Sequence, residues 1–403
     1  MTGTRAARRL AELARIGAQP GGGVTRPGLE AREQQACELV ASWMAEHGLE
    51  VTWDTAGNLF GRRRGADPAR REVWSGSHVD TVPNGGRFDG ALGVVLALEA
   101  AARLAGEHLP ATLAVCVFRD EEGFRFGHGC FGSRAVCGRL SEEDLAMADA
   151  AGVTVRDALA ELGRAGLPGP SGPLPATFVE THVEQGPVLE RAGVPLAAVT
   201  AIAGMAGCTV RFLGESGHAG TLPMVGRRDA FLAAATFALA LRDEALRLGD
   251  AVATVGDVRI AGAAGNIVPG RVAVTVDVRA PTAESVTLLA EAVPRLARAA
   301  DVDVEIDGVA FALPVPMAHG VRDALQDAAV AEGVAMLELG SGAGHDAGIL
   351  AAAGVEAGML FVRSGNGGVS HRPEELTTDD DVELAAGVLT RALRSLCGGD
   401  SLA

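Results

Sequence analysis

Two periodicities alternate along the first half of the chain. Apolar runs at 49–54, 72–77, 112–118 and 177–181 have the length and composition of buried strands, while from Leu10 onward, and again over 91–104, apolar residues recur at helical spacing. Strands separated by helical patterns predict an α/β sheet covered by helices. The stretch 167–175 is rich in proline and glycine and reads as a connecting loop, because chemically loaded segments lie on both sides of it.

Between 207 and 310 the order changes. Strand 208–213, helix 227–248, strands 251–260 and 271–279, helix 283–299 and strand 302–309 follow in the βαββαβ order of a ferredoxin-like unit. The α/β alternation then resumes with helix 321–332, strand 335–339, helix 347–353, strand 357–362 and helix 379–396. The pattern therefore predicts a domain spanning 207–316 inserted into one built from 1–206 and 317–403.

Composition narrows the function classes. A chain of 403 residues buries a large core without disulfides or structural metal. Charges such as Glu99 and Arg103 interrupt every apolar stretch before it reaches membrane-spanning length, so no transmembrane helix is expected. The N-terminal stretch has no apolar leader segment, and the six cysteines form no CxxC or paired spacing, so a cytoplasmic protein with reduced thiols is expected. A net charge of −16 excludes a phosphate-backbone partner, and no nucleic-acid or membrane partner is expected.

Four segments carry chemistry. In Ser75-Gly-Ser-His78-Val-Asp80, a histidine with a carboxylate two residues on suits a metal-bound imidazole, His78, whose other nitrogen Asp80 orients. Asp89, at the glycine-flanked start of the next helix, is free to bridge two ions, and Gly90 permits close backbone approach. In Asp120-Glu121-Glu122, again after an apolar strand, adjacent carboxylates divide labour: Glu122 ligates a cation, and Glu121, left unligated, takes a proton from the attacking water. Glu180-Thr-His182-Val-Glu184-Gln185 and Ser370-His371-Arg-Pro-Glu-Glu375 add two histidines. Each segment alone also reads as an ordinary polar turn, solvated loop or surface histidine. Together, His78, Asp89, Glu122, His182 and His371 make a mixed nitrogen and oxygen set that completes two open sites for ions about 3.5–4 Å apart.

These motifs resemble those of the M20 metallopeptidase clan and, within it, the amidase, hydantoinase and carbamoylase family, which holds N-carbamoyl-L-amino acid hydrolases, β-ureidopropionases and allantoate amidohydrolases. The similarity runs in order through Gly23-Val-Thr-Arg26, Asp54-Thr-Ala-Gly-Asn58, Gly76-Ser-His78-Val-Asp80, Gly86-Arg-Phe-Asp89-Gly, Glu121-Glu122-Gly-Phe-Arg-Phe, His182-Val-Glu-Gln185-Gly-Pro, Gly217-His218-Ala-Gly-Thr, Asn266-Ile-Val-Pro-Gly-Arg, Gly344-His345-Asp346-Ala and Ser370-His371-Arg-Pro-Glu. The resemblance implies a di-metal catalytic domain with an inserted ferredoxin-like domain that closes over the substrate and mediates a homodimer. It implies that His78 and His182 hold one ion, Glu122 and His371 the other, with Asp89 bridging, and that the ions are zinc, with manganese, cobalt or nickel also suited. Glu121 becomes the general base, and the lid histidine His218 polarises the scissile carbonyl. Gln185, Asn266, Arg279 and His345 match positions that handle the substrate, Arg279 as the clamp for its carboxylate.

The expected activity is cleavage of a ureido or amide C–N bond, with N-carbamoyl-L-amino acids as the preferred small-molecule substrates. Allantoate or another ureide, or an N-acyl amino acid or small peptide, are the rivals. A non-catalytic binding protein on the same scaffold is disfavoured because every acid and histidine the chemistry needs is present. The chain departs from its relatives at Met205-Ala-Gly-Cys208, which lacks a polar pair found there, and at Arg363 and Arg372, which add cations.

Overall fold

The computed structural model describes residues 3–398. It resolves into two compact units: one comprises the described residues of Met1–Thr200, Pro316–Leu339 and His345–Ala403, the other Ala201–Val315 with Gly340–Gly344.

The first unit is built on a mixed sheet. Its four central strands, Glu356–Val362, Thr177–Val183, Val73–His78 and Leu113–Phe118, lie side by side and all run parallel. Nearly every residue on them is buried, as expected for parallel strands with both sheet faces covered. Leu59–Arg63 pairs antiparallel with Leu113–Phe118, and Glu50–Trp53 closes that edge. The helix Ala91–Arg103 is buried along almost its whole length, and Arg5–Leu13 and Asp379–Leu396 pack against it. Asp379–Leu396 starts where it does because the Thr378 side chain accepts the Asp381 N–H, with three acids in the first turn opposing the helix dipole.

The second unit holds a four-stranded antiparallel sheet in the order Val252–Ile260, Arg271–Ala280, Gly204–Leu213, Asp303–Ala312. Along Arg271–Ala280 buried and open positions alternate, so Val272, Val274, Val276 and Val278 face Phe237 and Leu241 of the helix Ala230–Leu248 and Leu289 and Val293 of the helix Ala283–Ala297. Two elements of this unit start more than one residue away from the sequence reading. The first helix begins at Ala230 rather than 227, because the Asp229 carboxylate accepts the Phe231 and Leu232 N–H groups and caps it there. The first strand begins at Gly204 rather than 208, since its small residues are zipped between neighbours on both sides, Ala206 opposite Val278 and Phe311. Ladder pairing there overrides weak strand propensity.

Candidate metal centre

Because the four central strands are parallel, their C-terminal ends align along one edge, where open α/β sheets gather ligands. His78 ends the strand Val73–His78, and His182 lies near the end of Thr177–Val183. Glu121 and Glu122 follow Leu113–Phe118, and His371 sits on the loop beyond Glu356–Val362. Asp89 stands just before Gly90, the N-cap of Ala91–Arg103.

The fold brings these six residues together. Potential ligand atoms of His78, Asp89 and His182 lie within 4.8 Å of one another, and so do those of Asp89, Glu122 and His371. Asp89 divides its two oxygens between the groups. Its Oδ1 is 3.1 Å from His182 Nε2 and 3.6 Å from His78 Nε2, while its Oδ2 is 3.5 Å from His371 Nε2. His371 Nε2 also lies 3.4 Å from Glu122 Oε2, and Glu121 Oε2 lies 3.7 Å from His78 Nε2.

Contacts on the far side of each ring aim the buried imidazoles. His182 Nδ1 lies 2.9 Å from the Val183 carbonyl, and His78 Nδ1 lies 3.2 Å from the Asp80 carbonyl and 3.3 Å from its carboxylate, so in both rings Nδ1 is the donor to these acceptors and Nε2 faces Asp89. Asp80 does more than orient a ring: its two oxygens accept the backbone N–H groups of Glu121 and Glu122. The fully buried Arg26 donates to the carbonyl of Val79, between His78 and Asp80, and to those of Leu13 and Ile16. Gly90 is needed for close approach, since a Cβ on it would lie 2.4 Å from His78 Cε1. Asp120, Gln185 and His371 all hold left-handed backbone with φ of 50–57°, strain of the kind that gathers at functional sites.

The donors fit divalent cations. His78 Nε2 is buried without a hydrogen-bond partner, an orphan a cation would satisfy. Burial pushes the Glu121 carboxyl well above the usual carboxylate range, with Asp346, Glu122 and Asp80 adding to the rise; burial and Asp89 push Glu122 up to about 8. Burial opposes charge on His78, yet Glu121, Asp80 and Asp89 outweigh it and raise its pKa well above the ordinary value. The site thus crowds acidic groups whose ionised forms a cation would stabilise, and its imidazole and carboxylate donors suit zinc, manganese, cobalt or nickel.

The other sequence-singled residues fall in different places. Gln185 turns its amide toward Asp89 Oδ2 at 2.8 Å and Ser370 Oγ at 3.1 Å, so it meets the shared carboxylate itself. His345 is buried edge-on against the His182 ring at 4.6 Å, and burial followed by His182 drives its pKa well below the ordinary value. His218, Asn266 and Arg279 belong to the second unit. There His218 is exposed on the short strand Gly217–His218, opposite Ile267, and the Asn266 carbonyl accepts the Ala219 N–H. Arg279 is already engaged, donating to the Asp277 carboxylate at 2.9 and 3.3 Å and to the Gly342 carbonyl, so two of its five N–H groups remain for a carboxylate clamp. Arg363 is neutralised by Asp381 at 2.8 Å, and Arg372 is an exposed side chain beside Glu374. Sequence reasoning gave no role to Ser370 or Glu375, which contact Asp89, although both flank His371 closely in the chain.

A sequence model of peptidase family M20/M25/M40 matches residues 74–395. N-carbamoyl-L-amino acid amidohydrolase of Geobacillus stearothermophilus is 39% identical, over 99% of this chain and 99% of that one. Allantoate amidohydrolase of Escherichia coli (strain K12) is 36% identical, over 94% of each. Among solved structures, an amidase of the hydantoinase/carbamoylase family from Burkholderia multivorans superposes with a TM-score of 0.90 at 34% identity, covering 97% of both chains.

Proposed function

As the chain belongs to the peptidase family M20/M25/M40 and matches amidohydrolases along its whole length, we propose that it is a binuclear metal-dependent hydrolase of ureido C–N bonds, with N-carbamoyl-L-amino acids as substrates. The observation that carries the reading is the division of Asp89 between two donor groups, with Glu121 beside them and outside both.

His78, His182 and Asp89 would hold one ion, and Asp89, Glu122 and His371 the other. Bound there, a pair of divalent ions supplies Lewis acidity and brings the pKa of water from ~15.7 toward ~7. Glu121, buried and crowded by acids, takes the proton of the water that attacks the ureido carbonyl. It then delivers that proton to the leaving nitrogen, so the amino acid departs as an amine and the carbamate left behind gives ammonia and carbon dioxide. Asp80 holds the backbone of Glu121 and Glu122 through both N–H bonds, which keeps the base in place during both transfers.

We read the second unit as a ferredoxin-like lid, inserted over about 207–316, which its strand order supports. His218, as carbonyl polariser, and Asn266 and Arg279, as substrate contacts, are assigned to that lid by resemblance; Gln185 and His345 are assigned to the substrate on the catalytic side. A homodimer through the lid fits the exposed stripe Leu232, Leu239 and Leu246 on its first helix and the edge position of the strand Val252–Ile260. No helix among the described residues is long and apolar enough to cross a membrane. The cytoplasmic reading rests on the six free cysteines.

Allantoate is the second substrate reading, favoured by the relative from Escherichia coli. Ammonia release from N-carbamoyl-L-alanine and allantoate, and free amino acid release from N-acetyl-L-alanine and a dipeptide, assayed with zinc or manganese, decides. Turnover of the carbamoyl amino acid at the highest kcat/KM is the expected result; preference for the dipeptide or acetyl substrate would overturn the ureido assignment.

A further inference from the structure

The loop that carries His371 holds the most exposed of the candidate ligands. His371 is half exposed, holds left-handed backbone at φ 57°, and follows Gly367 and Gly368, which also have positive φ. A non-glycine residue in that conformation persists where its surroundings over-determine it. Local bonds close the loop on itself: Asn366 donates to the Glu374 carbonyl, and Gly365 donates to that of Leu376. They do not register it against Asp89, 282 positions away in the chain (371 − 89).

We propose that Glu375 is a positioning residue that locks the His371 loop to the Asp89 turn and so sets the spacing of the second cation site, an inference that rests on the di-metal reading above. The Glu375 side chain is buried, and its Oε1 accepts the backbone N–H groups of Phe88 at 2.8 Å and Asp89 at 3.0 Å. Its Oε2 lies 3.3 Å from Ser370 Oγ, and that hydroxyl lies 3.0 Å from Asp89 Oδ2. Glu375 therefore grips the Asp89 turn directly by its amides and, through Ser370, reaches the carboxylate oxygen that faces His371. The turn is shaped for this grip: a Cβ on Gly86 would lie 2.2 Å from Glu375 Cδ. No comparable tether to Glu375 is needed by His78 or His182, which lie on strands paired along their length. The consequence is selective. Loss of Glu375 frees two buried amides and leaves the His371 loop held to Asp89 by Ser370 and Gln185 alone, which loosens the Asp89, Glu122 and His371 site while leaving the His78, Asp89 and His182 site formed.

The test is equilibrium dialysis of metal-stripped full-length protein against zinc, with circular dichroism of each variant. Glu375→Ala should bind the first equivalent as wild type does and the second about 10–100-fold more weakly. Glu375→Gln, whose amide oxygen still accepts both N–H groups and whose NH₂ donates to Ser370, should bind both equivalents within a few-fold of wild type. If Glu375→Ala does not fold, Ser370→Ala decides: selective weakening of the second equivalent supports the proposal, and wild-type binding overturns it. The proposal also falls if folded Glu375→Ala binds both equivalents normally or loses both alike. Wild-type protein that binds fewer than two equivalents would instead sink the di-metal reading, so the two failures are told apart.

Discussion

The carboxylate of Asp80 accepts the backbone N–H of Glu122 at 3.0 Å with one oxygen and that of Glu121 at 3.1 Å with the other. One side chain thus registers the candidate base and a neighbouring ligand to the His78 turn. Asparagine at this position keeps one acceptor and turns an NH₂ against the second amide. Asp80→Asn should retain the fold and lose about 10–100-fold in kcat, with weaker metal binding; steady-state kinetics at saturating metal would show an unchanged kcat if the role is wrong.

Gly90 gives the His78 ring its room. An added Cβ would meet Cε1, Nδ1 and Nε2 at 2.4–2.5 Å, on a backbone whose φ of 62° already disfavours side chains. Gly90→Ala should cost roughly 1–3 kcal/mol in the metal-free protein and lower its metal content. Thermal unfolding with elemental analysis checks this, and a variant with wild-type Tm and full metal loading would contradict it.

Much of this arrangement was legible because its chemistry follows strand-like segments: Glu121 and Glu122 come just after the wholly apolar Leu113–Phe118, and His78 and His182 come at or near the ends of Val73–His78 and Thr177–Val183, which are more polar yet buried throughout. Short or polar strands such as Leu59–Arg63 and Thr81–Gly85 went unread, since pairing rather than side-chain pattern creates them. Asp80 was readable as a partner of His78 two residues away, but its bonds to Glu121 and Glu122 depend on neighbouring parallel strands. The contact from Glu375 to Asp89 spans 286 positions and leaves no local periodicity. The engagement of Arg279 by Asp277 did carry a signal, because residues two apart on a strand share a face.

Beneath the base, Glu33 and Arg119 form a fully buried pair at 2.6 Å. The same carboxylate accepts the N–H groups of Leu29 at 2.7 Å and Asp120 at 3.0 Å, fixing the left-handed residue just before Glu121. Glu33→Ala leaves a buried guanidinium without its counter-charge and should destabilise by about 3–5 kcal/mol. Adding Arg119→Met should recover part of that loss in chemical denaturation; a Glu33→Ala loss no larger than that of an exposed ion pair would refute the account.

Asp144 controls a piece of the acid stability. Burial would raise its pKa, but Arg134 at 2.5 Å and the Ser141 N–H and hydroxyl outweigh it and hold it at about 2. A carboxyl depressed by folding contributes stability that is complete above its unfolded value of about 3.9 and is lost as pH falls toward its folded one. Wild-type Tm should therefore decline more steeply than that of Asp144→Asn as pH falls from about 4 to about 2. Parallel Tm profiles for the two proteins would remove Asp144 from the acid transition.

The central claim is that Asp89 is shared by two cations, and anomalous scattering from crystals of zinc-loaded protein tests it most directly. Two peaks are expected, one touching His78, His182 and Asp89 Oδ1, the other touching Glu122, His371 and Asp89 Oδ2, with Glu121 coordinating neither. A single peak, or two peaks of which only one touches Asp89, would contradict it.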